Sequence, residues 1–360
     1  MTQKLIVEEN LLSSQRIIDA CPKDYSQFVI ITDDNVQPLY AATLKKHLET
    51  NHLSTNIITI PNGETSKSRE MVTEVQDRLF DLGCGRDTCI LALGGGVVTD
   101  LAGFIAATYC RGIPVIYLPT TLLAMVDAAL GGKTGVNTPH GKNLIGVFAQ
   151  PRAILSDIST LKTLSEVEFL SAFAEIIKHA LIFDNDYFNT LSIHADALKN
   201  RDLTLLTSII QRSCEIKSAI VSEDEKDNGI RVICNFGHTI GHALELVSDY
   251  TINHGQAVAI GIIVESFIAE QMGILSNADF NKIKALIARF DISVSIPQNT
   301  TQEKIKNALV LDKKSRQKKP RFVLIQSIGT IYSDQSHYSH PVDDIILNNA
   351  LDYLISEFRE

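Results

Sequence analysis

Several features that would each narrow the role of this chain are missing from it. Among its 360 residues there is no C-x-x-C, and the 6 cysteines are scattered. That excludes a zinc ribbon or a disulfide framework and suits a reducing compartment, the cytoplasm. Positive charge is not in excess, because 33 Lys and Arg stand against 42 Asp and Glu, a formal net charge of -9. No global field favours nucleic acid or an anionic membrane, so an anionic ligand must be held by local cations. Apolar stretches are short or are broken by Asp100, Asp127 or Glu265, which leaves no run of about 20 residues to cross a bilayer. The mixed-charge start, Met1 to Asn10, does not read as a signal peptide. No internal repeat or low-complexity tract is present.

The first half of the chain alternates two kinds of segment. Residues 28–32, 56–60, 88–93 and 115–118 are short, β-branched and apolar, and predict strands. Residues 39–53, 67–82 and the stretch from Gly96 to about Tyr109 predict helices. Such alternation implies a parallel, Rossmann-like sheet with helices on both faces and ligands beyond the carboxyl ends of the strands. After about Asp157 helical periodicity takes over, at 165–181, 202–223, 237–248 and 255–272. The expected organisation is an α/β nucleotide-binding domain over residues 1–158. A mostly α-helical domain for metal and substrate follows over residues 159–360.

The polar residues fall at telling places. Gly94-Gly95-Gly96-Val97-Val98-Thr99-Asp100 links a strand to a helix, where backbone N–H groups can cradle a pyrophosphate. Taken alone it reads equally as a tight structural turn. Other strand ends on the same rim favour a ligand: Asp33 and Asn35; Asn62, Gly63, Glu64 and Lys67; Thr120 and Thr121. Residues 126–143 are rich in small side chains and carry Lys133 and Lys142, point charges for a phosphate or else solvated lysines of a surface loop. Glu175 and Lys178 share a helix face at i and i+3, either as a surface ion pair or, given their apolar neighbours, as a covered one. His238 and His242 lie at i and i+4, preceded by Arg231 and Asn235 and followed by His254. One carboxylate and two histidines from separate parts of a chain suit a catalytic divalent metal with an open position.

These motifs resemble those of the 3-dehydroquinate synthase family of sugar-phosphate cyclases. The resemblance covers most of the chain and is densest at 94–112, 119–137, 141–151, 174–184 and 235–245. It implies an α/β NAD-binding domain followed by a helical metal domain. It also implies a homodimer acting on a small phosphorylated keto acid, 3-deoxy-D-arabino-heptulosonate 7-phosphate, in the shikimate pathway to chorismate and the aromatic amino acids. Residue by residue, Glu175, His238 and His254 match metal ligands, for zinc or cobalt. Asp33, Asn35, Glu64, Lys67, Gly95, Gly96, Val97, Asp100, Thr120 and Thr121 match NAD+ contacts, with Thr160 and Thr163 near the nucleotide; Asn62, Gly63, Lys133 and Lys142 are grouped with them. Arg111, Asp127, Lys133, Lys142, Asn143, Lys178, Lys217, Arg231, Asn235 and His242 match substrate-binding and catalytic positions. Lys313 or Lys314 matches a late phosphate-side lysine. Three positions depart from the family pattern: Thr99 for Gly, Asp227 for Glu and Gln256 for Glu.

The implied chemistry oxidises C5 reversibly on NAD+, eliminates phosphate, restores C5 and closes a carbocycle by an aldol step. NAD+ is thus catalytic. The rival readings are a cyclase for another sugar phosphate, a metal-dependent polyol dehydrogenase that consumes NAD+, and a non-catalytic binding domain.

Overall fold

The computed structural model describes residues 4–311, 320–335 and 337–359. The chain divides into two compact units, Met1–Leu164 with Leu203–Cys214, and Ser165–Asp202 with Glu215–Glu360.

Among the described residues the first unit holds eight strands: β1 (Lys4–Glu8), β2 (Gln27–Asp33), β3 (Thr55–Ile60), β4 (Thr88–Gly94), β5 (Val115–Pro119), β6 (Lys133–Thr138), β7 (Gly141–Phe148) and β8 (Ala153–Asp157). Six of them form a parallel sheet in the order β1-β8-β5-β4-β2-β3. Among the described residues it is accompanied by α1 (Gln15–Ala20), α2 (Ala42–Thr50), α3 (Arg69–Asp81) and α4 (Gly96–Thr108), and the helical stretch Leu203–Cys214 belongs to the same unit. The central strands are continuous apolar runs because both faces are covered. Phe28 and Ile30 join a core with Leu44, Leu48, Leu91 and Leu93, while Val29 and Ile31 are equally buried between them.

Two strands and a hairpin lie outside the expected pattern. β1 pairs with β8 from Lys4↔Ala153 to Glu8↔Asp157. The charged ends of β1 and the polar Ser156 and Asp157 mask their strand character. The lysine-bearing segment is no flexible loop, because β6 and β7 pair antiparallel, Gly135 opposite Gly146. A Cβ on Gly135 would lie 2.5 Å from the Ile145 carbonyl oxygen, and one on Gly146 2.2 Å from that of Thr134. These glycines permit close approach, which composition alone reads as loop.

The second unit is helical: α5 (Glu166–Ser171), α6 (Phe173–Phe183), α7 (Asn185–Lys199), the Glu215–Glu223 part of α8 (Leu203–Glu223), α9 (His238–Val247), α10 (His254–Gln271), α11 (Asn277–Arg289), α12 (Gln302–Leu311) and α13 (Asp344–Phe358). The expected helix over 165–181 is two, meeting at Ala172. α10 is buried nearly all round, which makes it the core helix against which α9, α13, α6 and α11 pack. A short antiparallel pair, Ile325–Ser327 with Thr330–Ile331, interrupts the helical pattern. Among the described residues no helix is long and apolar enough to cross a membrane. Lys313, Lys314 and the rest of the basic stretch to Lys319 lie outside the described residues.

Candidate metal centre

Three helix starts converge in the second unit. Glu175 sits in the first turn of α6, His238 is the first residue of α9, and His254 is the first of α10. Glu175 Oε1 lies 3.3 Å from His238 Nε2 and 3.5 Å from His254 Nε2. Ligand distances of about 2.1 Å in a tetrahedral zinc-type site give ligand–ligand edges of about 3.4 Å, so these separations fit one shared ion. Both carboxylate oxygens of Glu175 are buried and neither has a well-formed hydrogen bond. The far nitrogen of each imidazole is committed elsewhere. His238 Nδ1 donates to the Phe236 carbonyl at 3.1 Å, and His254 Nδ1 donates to Glu245 Oε2 at 3.3 Å. Each contact occupies Nδ1 and leaves Nε2, the nitrogen that faces Glu175, as the one a metal would take.

Charge is concentrated here. Glu175 is fully buried, and Lys178, 1% exposed, forms an ion pair with its Oε2. The surface-pair reading of these two residues is therefore replaced by a buried pair. Burial pushes the Glu175 carboxyl up, but the Lys178 ammonium and His238 outweigh it and hold the group well below the usual carboxylate range. Burial, then Lys178, pull His238 below its ordinary value. For His254 burial acts downward too, yet the adjacent carboxylates of Glu175 and Glu245 raise its pKa to about 10 in the metal-free protein.

The local sequence explains how these side chains are placed. A Cβ on Gly255 would lie 2.1 Å from the Ser171 carbonyl oxygen, so only glycine lets the start of α10 abut the end of α5. Gln256 accepts from Asn253 N while Asn253 Oδ1 accepts from Gln256 N, a capping box on the helix that presents His254. Gln at this position thus serves the helix start. Asp227 adopts φ of +59°, a conformation that a short Asp tolerates better than Glu.

The remaining polar residues of this unit sit nearby in the chain and are held firmly. His242 follows His238 on α9, its ring 5.2 Å from that of His238 and 6.2 Å from that of His254. Arg231 is buried and donates to the Glu225 carbonyl at 2.6 Å, within a loop organised by Asp224, whose carboxylate accepts from Asn228 N, Gly229 N and Arg231 N. Asn235 Nδ2 donates to the Val232 carbonyl at 3.0 Å, and Lys217 is buried on α8. Two carboxylates escaped sequence reasoning, Glu245 and Glu265. Glu245 falls seven residues after His238, on the same face, and that periodicity could have flagged it.

In the first unit the strand-end residues form a connected rim. Lys67 Nζ is paired with Asp100 Oδ2. Asn137 N donates to the Lys67 carbonyl at 2.8 Å, Asn137 Nδ2 to Glu64 Oε1 at 2.7 Å, and Asn143 N to Asn137 Oδ1 at 2.9 Å. The turns at 62–67, 94–100 and 137–143 are thus joined. Asp33 Oδ1 accepts from Asn35 N and Val36 N, and Asn62 is held by Asp34 Oδ1. Gly63 adopts φ of +94° ahead of Glu64. Helix α4 begins at Gly96 and Val97 with no side-chain cap and no acidic residue in its first turn, an arrangement suited to an anion. Beside it, Thr120 Oγ1 is buried without a hydrogen-bond partner, and Thr121 packs 3.1 Å from where a Cβ on Gly95 would stand. Thr99 is buried and donates to the Gly96 carbonyl; the close helix–strand contact lies one turn on at Gly103, where a Cβ would be 2.1 Å from Tyr117 OH. Thr160 donates to the Asp157 carbonyl, and Thr163 bonds to Tyr40 OH.

Lys133 opens β6, Lys142 lies near the start of β7, and Asp127 sits in the turn Ala124–Ala128. Arg111 stands apart. It follows α4 and precedes β5, at the amino-terminal edge of the sheet, and lines a depression of about 410 Å³ with Arg86, Thr108 and Cys110.

Two family models match adjoining stretches of the chain. The 3-dehydroquinate synthase N-terminal model covers residues 57–171, and the 3-dehydroquinate synthase C-terminal model covers residues 172–315. The chain belongs to the 3-dehydroquinate synthase family. A 3-dehydroquinate synthase from Geobacter sp. (strain M21) is 44% identical over 301 residues, 83% of each chain. Among solved structures, the 2-epi-5-epi-valiolone synthase of Streptomyces hygroscopicus subsp. jinggangensis 5008, with NAD+ and Zn2+ bound, is 27% identical with a TM-score of 0.89 over 99% of this chain and 97% of that one. A 2-deoxy-scyllo-inosose synthase complexed with carbaglucose-6-phosphate, NAD+ and Co2+ is 27% identical with a TM-score of 0.88, over 97% and 96%. The chain is an enzyme with 3-dehydroquinate synthase activity, a carbon–oxygen lyase that releases phosphate in the shikimate pathway.

Proposed function

We propose that this reaction runs on a divalent ion, zinc or cobalt, held by Glu175, His238 and His254, and on NAD+ held by the strand-end rim of the first unit. One observation carries the metal assignment, the convergence of Glu175 Oε1 with two imidazole Nε2 atoms whose other nitrogens are already committed. The nucleotide assignment is supported by the uncapped start of α4 and the unpartnered Thr120 hydroxyl. When bound, the ion supplies Lewis acidity to substrate hydroxyls and the nicotinamide supplies a reversible hydride acceptor.

The protein's own groups do the rest. Lys178 keeps Glu175 ionised. His242 holds or moves the proton of the reacting hydroxyl. In the second unit Lys178, Lys217, Arg231 and Asn235 are the groups that bind the carboxylate, hydroxyls or phosphate of a seven-carbon 2-keto-3-deoxy acid phosphate. For Lys133, Lys142, Asn143 and Asp127 of the first unit a substrate-binding role rests on the family resemblance alone, and Arg111 is not grouped with them. Asp33, Asn35, Asn62, Gly63, Glu64, Lys67, Gly95, Gly96, Val97, Asp100, Thr120, Thr121, Thr160 and Thr163 contact or support NAD+, which assigns most of the nucleotide's partners to residues 1–158 and the metal to 159–360. The family resemblance supports a homodimer, and six scattered cysteines with no C-x-x-C support a cytoplasmic location.

The test supplies the keto-deoxy acid phosphate with trace NAD+ and follows phosphate and NADH together. Phosphate without net NADH is expected, lost on chelation and restored by zinc or cobalt. Net NADH, or full activity without bound metal, overturns the reading.

A further inference from the structure

Glu265 lies in the middle of α10 and is fully buried. Its Oε2 accepts from Gly237 N at 2.8 Å and its Oε1 from Ile240 N at 3.0 Å. Both donors belong to the start of α9, whose Gly237 cap supplies no side chain. Eleven residues separate His254 from Glu265, close to three helical turns, so both lie on one face of α10. Four residues before Glu265, a Cβ on Gly261 would lie 1.8 Å from the Gly237 carbonyl oxygen, and Gly237 itself adopts φ of +79°. The two helices that begin with His238 and His254 are therefore locked together by a glycine contact and a carboxylate clamp.

A charge is costly to bury in a helical core unless its acceptors are used, and these are used at the very turn that presents His238. That helix end carries a positive partial charge, which opposes a dication held by its first residue. A carboxylate behind the turn offsets it. We propose that Glu265 is a positioning residue for the metal centre: it fixes the α9 start against α10 and supplies negative charge behind His238. This rests on the assignment of His238 and His254 as ligands.

The test uses the full chain stripped of metal, with Co2+ or Zn2+ titrated against a chromophoric chelator. Glu265→Gln keeps the shape but offers one acceptor oxygen to two N–H donors. It should bind either ion about 10- to 100-fold more weakly, as loss of outer-shell partners does elsewhere, and shift the visible spectrum of the Co2+ form. Ser276→Ala, which removes the side-chain cap of α11, is the control and should lower thermal stability while leaving affinity and spectrum unchanged. Wild-type affinity and spectrum in Glu265→Gln, whatever its melting temperature, overturn the proposal. If that variant does not fold, Glu265→Asp carries the same comparison, with affinity within twofold of wild type counting against it and a larger loss in its favour. Failure of the ligand assignment reads differently, because His238→Ala would then retain its metal.

Discussion

At the carboxyl ends of its strands the first unit presents backbone, with glycines at 94, 95 and 96 and an uncapped helix start; around Glu175 the second unit presents buried charge, with four ionisable side chains in one cluster. The first arrangement recognises by leaving space, and it is damaged by added atoms. The second recognises by electrostatic concentration, and it is damaged by lost charges. The two should therefore respond to different classes of substitution.

The largest effect is expected where charge is removed. Glu175→Gln takes away a proposed ligand and strands the Lys178 ammonium in a site 1% exposed. Activity should fall by about 10³-fold or more, metal content should be lost, and the metal-free protein should lose about 3–5 kcal/mol to urea unfolding. A variant that keeps its metal would show that the charge cluster is not the binding site.

Acidity probes the same cluster more gently. His254 is raised from an ordinary value of 6.5 to about 10 in the metal-free protein, so at neutral pH it carries a proton that a metal must displace. Apparent metal affinity should rise about tenfold per pH unit below that value, and one proton should be released on binding. The stability sign follows. Stabilisation from a raised histidine is fully present below about 6.5 and is lost as pH rises through about 10. Metal-free protein should weaken across that window in denaturant melts, and metal-loaded protein should not. Affinity independent of pH would count against His254 as a ligand.

The smallest effect tests the space-keeping side. Gly103→Ala drives a methyl to within 2.1 Å of Tyr117 OH and 2.5 Å of Thr134 Cγ2. Overpacking of this kind costs about 1–3 kcal/mol, while metal content should stay intact. Loss of metal in that variant would mean that the distinction drawn between the two arrangements is false.

The same contrast decides what could be read before the fold was known. The central strands are legible because burial on both faces demands unbroken β-branched runs, as in Phe28–Ile31. β1 and β8 are not, since an edge strand may carry Lys4 and Glu8 at its ends. The β6–β7 hairpin is hidden by the glycines that make its close pairing possible. In the site, the i, i+4 histidines are visible as spacing, and Gln256 and Asp227 make sense only once a capping box and a positive φ are seen. Glu265 is invisible in principle, because its partners at Gly237 and Ile240 are chosen by the packing of two helices and not by any local pattern.

The pairing of Lys4–Glu8 with Ala153–Asp157 has a temporal consequence. On the ribosome, synthesis at about 5–20 residues per second leaves the opening segment without its neighbour for roughly ten seconds or longer. The helical stretch Leu203–Cys214 that completes the same unit arrives later still. A nascent chain paused before that point carries an open sheet margin, the kind of surface that invites wrong partners, so the speed of elongation through the middle of the message should bear directly on the yield of native enzyme.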